Sequence, residues 1–434
     1  MKFQFEKLGA LDKQTEIELG DLTILCGANN TGKTYTTRAI YGFLKMWQSH
    51  IDFKIADAQI QSLFQNGVLK IELTALEKEI PQILDALSKE YTLSLPRLFN
   101  ASEDFFSQTA FHALKNGYQP NYQKALHLSA GSATKDVLNI FKDKDSTILF
   151  VSLLVEDKNL IPHAFVVKKF LNKGLGQALL GDYFAKPFLI TSERIGITLF
   201  HKVLNTNEED SFSRYAHPLK DNIDFVRDIV DVHSKQKSAL IKEHPEFASL
   251  LKDIVGGEYT VANNQIFFSF LKDTQIIQIP VNNGSATVAS QVEINFYLNC
   301  LAKKGDILLF DEPEQYLHPA NQRKMARLFV RLVKAGVKVF ITTQSDYLIK
   351  ELNHLILLGN EFEDKDEIMT KYQYTEKDVL DESLVKAYVA EKQSLFPTVI
   401  DEMGIEVDSF DHEINEMNRM YNEMTVTMEC AYAD

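Results

Sequence analysis

The chain opens on two short runs, KFQFEKLG and TEIELG, whose apolar side chains fall at every second position, and this alternation predicts two strands. LTILCG follows, apolar at nearly every position, and reads as a strand buried on both faces. TGKTYTTRAIYGFLKMW then spaces its apolar residues for a helix. From about residue 51 to 180 the pattern predicts mainly helices, among them IELTALEKEIPQILDALSKEY and FFSQTAFHALKNGY. A strand pair around STILFVSLLVEDKNLIPHAFVVKKFL interrupts them, and YFAKPFLITSERIGITLFHKVL reads as a strand followed by a helix. Residues 205–255 are polar and helical, with NTNEEDS and GGEY as breaks. YTVANNQIFFSFLKDTQIIQIPV then predicts a hairpin or meander. QVEINFYLNCLAKKG is a predicted helix, GDILLFDEPE a buried strand with an acidic end, and NQRKMARLFVRLVKAGVKVFITTQSDYLIKELN a helix, strand, helix unit. Strands alternating with helices in this way predict an α/β fold with a mostly parallel sheet.

Composition changes this picture little. The 434 residues are 45% hydrophobic with only 19 Gly and 11 Pro, an ordinary globular balance with room for two to four packed units. No segment reaches the roughly 18 uninterrupted apolar residues of a membrane span, and charges break every apolar run near the N-terminus. A soluble chain without membrane association is therefore expected. Cys26, Cys300 and Cys430 are isolated, which suggests neither a disulfide framework nor a zinc site and fits a reducing cytoplasm.

Charge is uneven. Residues 361–434 carry 20 Asp and Glu against 6 Lys and Arg, while residues 1–360 carry 40 of each. A neutral body gives little support to a broad DNA-binding face. The acidic C-terminal region is either a solvated surface or a docking element for a partner protein.

Two motifs carry chemistry. Gly27-Ala28-Asn29-Asn30-Thr31-Gly32-Lys33-Thr34 satisfies GxxxxGK[ST] between a predicted strand and a predicted helix, the setting a phosphate-binding loop requires. Backbone N–H groups and the positive end of the helix would cradle phosphates, Lys33 would reach the β and γ oxygens, and the Thr34 hydroxyl would ligate Mg2+. Asn30 occupies a position where many such loops have Gly, and Asn tolerates positive φ better than most residues. The second motif is the buried strand ending in Asp311 and Glu312: Asp311 suits a magnesium ion, and Glu312 can orient or deprotonate an attacking water. With water as acceptor, the expected activity is hydrolysis. Lys33 and Asp311 stand 278 residues apart, so the core is split by an insertion. The expected units are a core over 1–50 and 185–360, an insertion over 51–184 and the acidic region 361–434.

The words GANNTGKT, FLITSERIG, ILLFDEPEQYLHPANQ and VFITTQSDYLIKELN resemble the ABC-type ATPase heads of the SMC and RecF kind, and most closely the OLD-like AAA family ATPases. The resemblance implies a P-loop NTPase fold and ATP with Mg2+ as ligands. It implies that Glu314 to His318 form the D-loop, with His318 beside the nucleotide. It places Gln344 where many relatives have the γ-phosphate-sensing His; Gln donates a hydrogen bond but does not titrate near neutral pH. It also places Ser285 in a degenerate signature loop ahead of a helix over Val288 to Leu298, where it would cap the γ-phosphate held by a second subunit and make the site composite. Read from the residues alone, the weaker alternatives are that Gln344 is an ordinary strand-end polar group and Ser285 a plain helix cap. The magnesium-coupled Gln of the Q-loop is not identifiable.

Three functions compete. The first is an ATP-hydrolysing switch that forms homo-oligomers through its ATP sites and controls a separate effector, a nuclease or toxin, as the resemblance to ATPase subunits of anti-phage systems such as PARIS or Septu implies. The acidic region and the lack of room for a nuclease domain after residue 360 fit this. The second is a RecF-like or SMC-like DNA-repair ATPase, and the third a regulator that binds nucleotide and turns it over slowly. Arg194 and His201, in R-x6-H spacing, offer a minor nuclease alternative.

Overall fold

The computed structural model describes residues 1–131, 136–155, 162–204, 215–406, 416–425 and 427–428. NTNEEDS, Cys430 and parts of the acidic C-terminal region and of the expected strand pair after Leu153 lie outside the described residues. Strands β1 (Lys2–Glu6), β2 (Thr15–Glu18) and β3 (Leu22–Cys26) are where the alternating and apolar runs predict them. A helix over Lys33–His50 follows the loop, buried through Ala39, Ile40, Phe43, Leu44 and Trp47.

The insertion departs from expectation. It holds helices over Asp57–Asn66, Ile80–Phe99 and Ala164–Leu180, but also five strands: β4 (Val68–Glu72), β5 (Ala110–Leu114), β6 (Leu126–Gly131), β7 (Asp136–Lys142) and β8 (Ile148–Leu153). Helix still outweighs strand in the region, but it holds more strands than the single pair expected. AFHAL, expected in a helix, is β5. Phe111 and Ala113 alternate inward, and the strand pairs antiparallel with β1, setting Phe111 opposite Phe5. AFVVKKFL, expected as a strand, opens a helix instead, because Val167, Leu171, Leu175 and Leu179 repeat at four-residue spacing on its buried side. Strands β4, β8, β7 and β6 form their own antiparallel sheet.

Strand β9 (Lys186–Ile190) returns the chain to the core and is followed by a helix over Arg194–Phe200. The predicted meander is β10 (Glu258–Ala262), β11 (Gln265–Lys272) and β12 (Gln275–Pro280). The helix expected over Val288 to Leu298 is broken into Ala286–Ser290, Val292–Phe296 and a π-turn over Tyr297–Leu301. Strands β13 (Asp306–Asp311) and β14 (Lys338–Thr343) flank the helix Pro319–Lys334.

The sheet also reaches past residue 360. Strand β15 (Val385–Glu391) pairs parallel with β3, and β16 (Ser394–Pro397) closes the edge antiparallel, so part of the acidic region belongs to the core. The order is β16-β15-β3-β14-β13-β9, parallel except for β16. Both faces are covered: Ile24, Phe310 and Ile341 point into one apolar core, and Leu25, Leu309 and Phe340 into the other. Ligands of open parallel sheets bind beyond the carboxyl ends of the strands, and both motifs sit at that end. Among the described residues, no helix is long and apolar enough to cross a membrane.

Candidate active site

Gly27 (φ 139°), Asn30 (φ 61°) and Gly32 (φ 99°) all take positive φ, turning the loop between β3 and the Lys33–His50 helix into a concave cradle. A Cβ on Gly27 would lie 2.5 Å from the Ala390 carbonyl oxygen, and one on Gly32 2.7 Å from Leu11, so both positions require glycine. Asn30 holds the left-handed conformation that its residue type tolerates. Thr31 braces the loop by donating its hydroxyl to the Ala28 carbonyl at 2.8 Å, and Asn29 is exposed at the rim. Lys33 Nζ donates to the carbonyls of Gly27 and Ala28 at 2.8 and 2.7 Å. Burial holds this ammonium below its usual range, while Glu312 and Asp311 pull it back up.

The register of the sheet brings the second motif to the same place. Asp311 lies opposite Thr342 on β14, and Thr343 lies opposite Cys26 on β3. Thr34 donates its hydroxyl to Asp311 Oδ2 at 3.3 Å, which joins the ends of two motifs separated by 277 positions. Thr342 donates its own hydroxyl to the other oxygen, Oδ1. Burial pushes the Asp311 carboxyl above the usual carboxylate range, opposed by the Thr342 bond. Thr34 Oγ1 and Asp311 Oδ2 converge as hard oxygen donors. The pair fits Mg2+, which takes one or two protein ligands together with substrate phosphates and water.

Glu312 also takes positive φ, 48°. Its N–H donates to the carbonyl and the hydroxyl of Thr342, both at 3.1 Å. Two amides hold its carboxylate: Gln344 Nε2 donates to Oε1 at 2.7 Å, and Gln315 Nε2 donates to Oε2. The Gln344 N–H in turn donates to Glu314 Oε1 at 2.7 Å. Glu314 is itself pushed above its usual range by burial.

Lys33, Thr34, Asp311, Glu312 and Gln344 are thus one constellation. His318 and Ser285 are not bonded to it. His318 is exposed and caps the helix Pro319–Lys334, its Nδ1 accepting from the Ala320 N–H at 3.3 Å. Ser285, also exposed, caps Ala286–Ser290 by accepting from the Val288 N–H at 3.3 Å. Thr287, in the same turn, donates to the Tyr316 carbonyl at 2.6 Å, so the Ser285 turn touches the segment that carries His318.

Sequence reasoning missed several neighbours. Thr342 is on β14, two residues ahead of Gln344, which stands just past the strand's end, and the parallel pairing of β13 and β14 places Thr342 against Asp311. Glu193, just past β9, forms a 2.5 Å ion pair with Arg38. Burial pushes Glu193 up, and Arg38 brings it net below its usual range. Arg194 and His201 do not form an accessible pair: both are buried, Arg194 donates to backbone carbonyls, and His201 Nδ1 bonds the Thr198 carbonyl at 2.8 Å. Glu293, fully buried, accepts from Asn222 Nδ2 at 2.8 Å, and burial drives its carboxyl well above the usual range against the pull of Arg194.

Among solved structures the chain is similar to the SMC head domain from Thermotoga maritima, at 10% identity and a TM-score of 0.33, over 92% of this chain and 98% of that one. It is also similar to an Smc head domain with an extended coiled coil bound to the C-terminal domain of ScpA, from Pyrococcus furiosus, at 11% identity and a TM-score of 0.33, over 96% of this chain and 98% of that one. No curated protein matches it. A family profile described as the AAA ATPase domain matches residues 8–349, a span that includes Lys33, Thr34, Asp311, Glu312 and Gln344. The phosphate loop, the acidic strand end and this match together make the chain a member of the AAA ATPase domain family.

Proposed function

We propose that the chain hydrolyses ATP in a magnesium-dependent reaction and uses the nucleotide state to control its own assembly and a separate effector protein. The meeting of Thr34 with Asp311 beside Glu312 and Gln344 carries the reading. Lys33 neutralises the terminal phosphates, and the loop N–H groups hold them. Thr34 and Asp311 would hold Mg2+, which would supply positive charge against the charge that builds on the leaving group. Glu312 accepts a proton from the attacking water, and Gln344 keeps its carboxylate aimed.

Ser285 and His318 complete a site contributed by two subunits, so ATP joins the subunits and hydrolysis releases them. Their exposed positions, outside the constellation of a single chain, support this reading. The effector is a nuclease or toxin of the kind controlled in anti-phage defence, and part of the acidic C-terminal region docks it. The excess of Asp and Glu after residue 360 supports a basic docking partner. Glu312→Gln tests the assembly claim. With Mg-ATP the variant accumulates as an ATP-bound oligomer in size-exclusion chromatography, and a species that stays monomeric with and without ATP contradicts the composite site.

A further inference from the structure

Arg194 is among the largest fully buried side chains of the molecule, yet gripping the nucleotide makes no use of it. It stands four residues past the end of β9, at the start of the helix Arg194–Phe200. Its guanidinium lies 5.1 Å from the centre of the Phe310 ring and reaches under the turn that leaves β13. Nη1 donates to the Asp311 carbonyl at 3.1 Å; Nη2 donates to the carbonyls of Glu312 at 2.8 Å and Gln315 at 3.4 Å.

That turn is not one the chain adopts readily. Glu312 and Tyr316 are both left-handed without being glycine, at φ 48° and 65°, and non-glycine residues keep such backbone only where the surroundings impose it. Thr342 fixes the N–H side of Glu312, and Arg194 fixes its carbonyl side. A planar fork with several donors can serve three carbonyls at once, whereas an ammonium on a flexible stem cannot hold the same fan of acceptors in plane.

We propose that Arg194 is a positioning residue for hydrolysis: from beneath, its guanidinium holds the 311–315 turn in the left-handed form that aims the Glu312 carboxylate at the attacking water. The proposal rests on the reading of Glu312 given above. It separates binding from turnover, because the phosphate loop, Lys33 and Thr34 belong to another segment and make none of these bonds.

The test is steady-state ATP turnover and ATP binding of Arg194→Lys and Arg194→Ala beside wild type and Glu312→Gln, with thermal melting to establish folding. A misplacement on the order of 1 Å costs about 100-fold in rate, so Arg194→Ala is expected to lose about 100-fold in kcat with KM and ATP affinity within about twofold of wild type. Arg194→Lys, which keeps the charge and most of the packing, is expected to lose at least about tenfold in kcat with KM unchanged. If Arg194→Ala does not fold, Arg194→Lys decides alone. Wild-type kcat in a folded variant, or a KM that rises in step with a falling kcat, overturns the proposal. If wild type is active and Glu312→Gln is inactive, such a result removes only the role of Arg194. A wild-type protein without turnover removes the reading of the site itself.

Discussion

The Gln344 amide and the Glu312 carboxylate meet at 2.7 Å, Nε2 donating to Oε1, across the gap between the ends of β14 and β13. A histidine in this place would gain or lose a proton near neutral pH, and the amide does not. Gln344→Ala removes the donor and leaves Gln315 as the remaining amide on that carboxylate. A hydrogen bond to a charged group contributes about 1.5–3 kcal/mol, so kcat is expected to fall about 10- to 100-fold with KM nearly constant, as measured by steady-state turnover. A rise in KM at constant kcat would instead assign Gln344 to substrate binding.

Thr34 and Asp311 are expected to act together on the metal. Asp311→Asn keeps the side-chain shape and removes the charge. Mn2+ binding in the presence of ADP, followed by electron paramagnetic resonance, is expected to weaken at least about tenfold, since the metal keeps few protein ligands. Unchanged Mn2+ affinity would take Asp311 out of the metal site.

The composite site makes a stronger prediction than any single variant. Ser285→Arg should disable the half of the site it offers to a partner, and Glu312→Gln the half it keeps for itself. Each is expected to be inactive alone, while a mixture of the two forms some sites with both halves intact and recovers turnover. A mixture no more active than its parts would place the whole site within one chain.

Glu293 gives a pH prediction with a definite sign. Its carboxyl stays protonated in the folded protein well above its unfolded value of 4.5, so over that interval the folded state holds the proton more tightly than the unfolded one. Stability from this group is fully present below about pH 4.5 and is lost as pH rises through the folded value. Glu293→Gln retains an oxygen for Asn222 and carries no charge at any pH. Its melting temperature should match wild type below about pH 4.5 and exceed it increasingly above, as read from thermal melts across pH. A variant less stable than wild type at alkaline pH would mean that the Glu293 charge is stabilised by Arg194 after all.

The phosphate loop and the acidic strand end were legible in the sequence because each is a short segment whose neighbours in sequence are also its neighbours in space. LTILCG and ILLFD announce buried strands by apolar runs alone, and Asn30 announces its backbone by residue type. Thr342 and Arg194 act across strands, and only the register of β9, β13 and β14 brings them to Glu312. The insertion misled for a related reason. AFHAL is too short a run to separate strand from helix until Phe5 lies opposite Phe111. The acidic count after residue 360 likewise concealed β15, whose buried Val385, Ala387 and Ala390 lie among exposed charges.

One measurement bears on all of this most directly: phosphate release from Mg-ATP by wild type, Lys33→Ala and Glu312→Gln, compared at equal protein concentration. Turnover is expected in wild type, loss of both turnover and ATP binding in Lys33→Ala, and loss of turnover with ATP still bound in Glu312→Gln. Equal rates in all three proteins, or no release by wild type at saturating Mg-ATP, would contradict hydrolysis at this site.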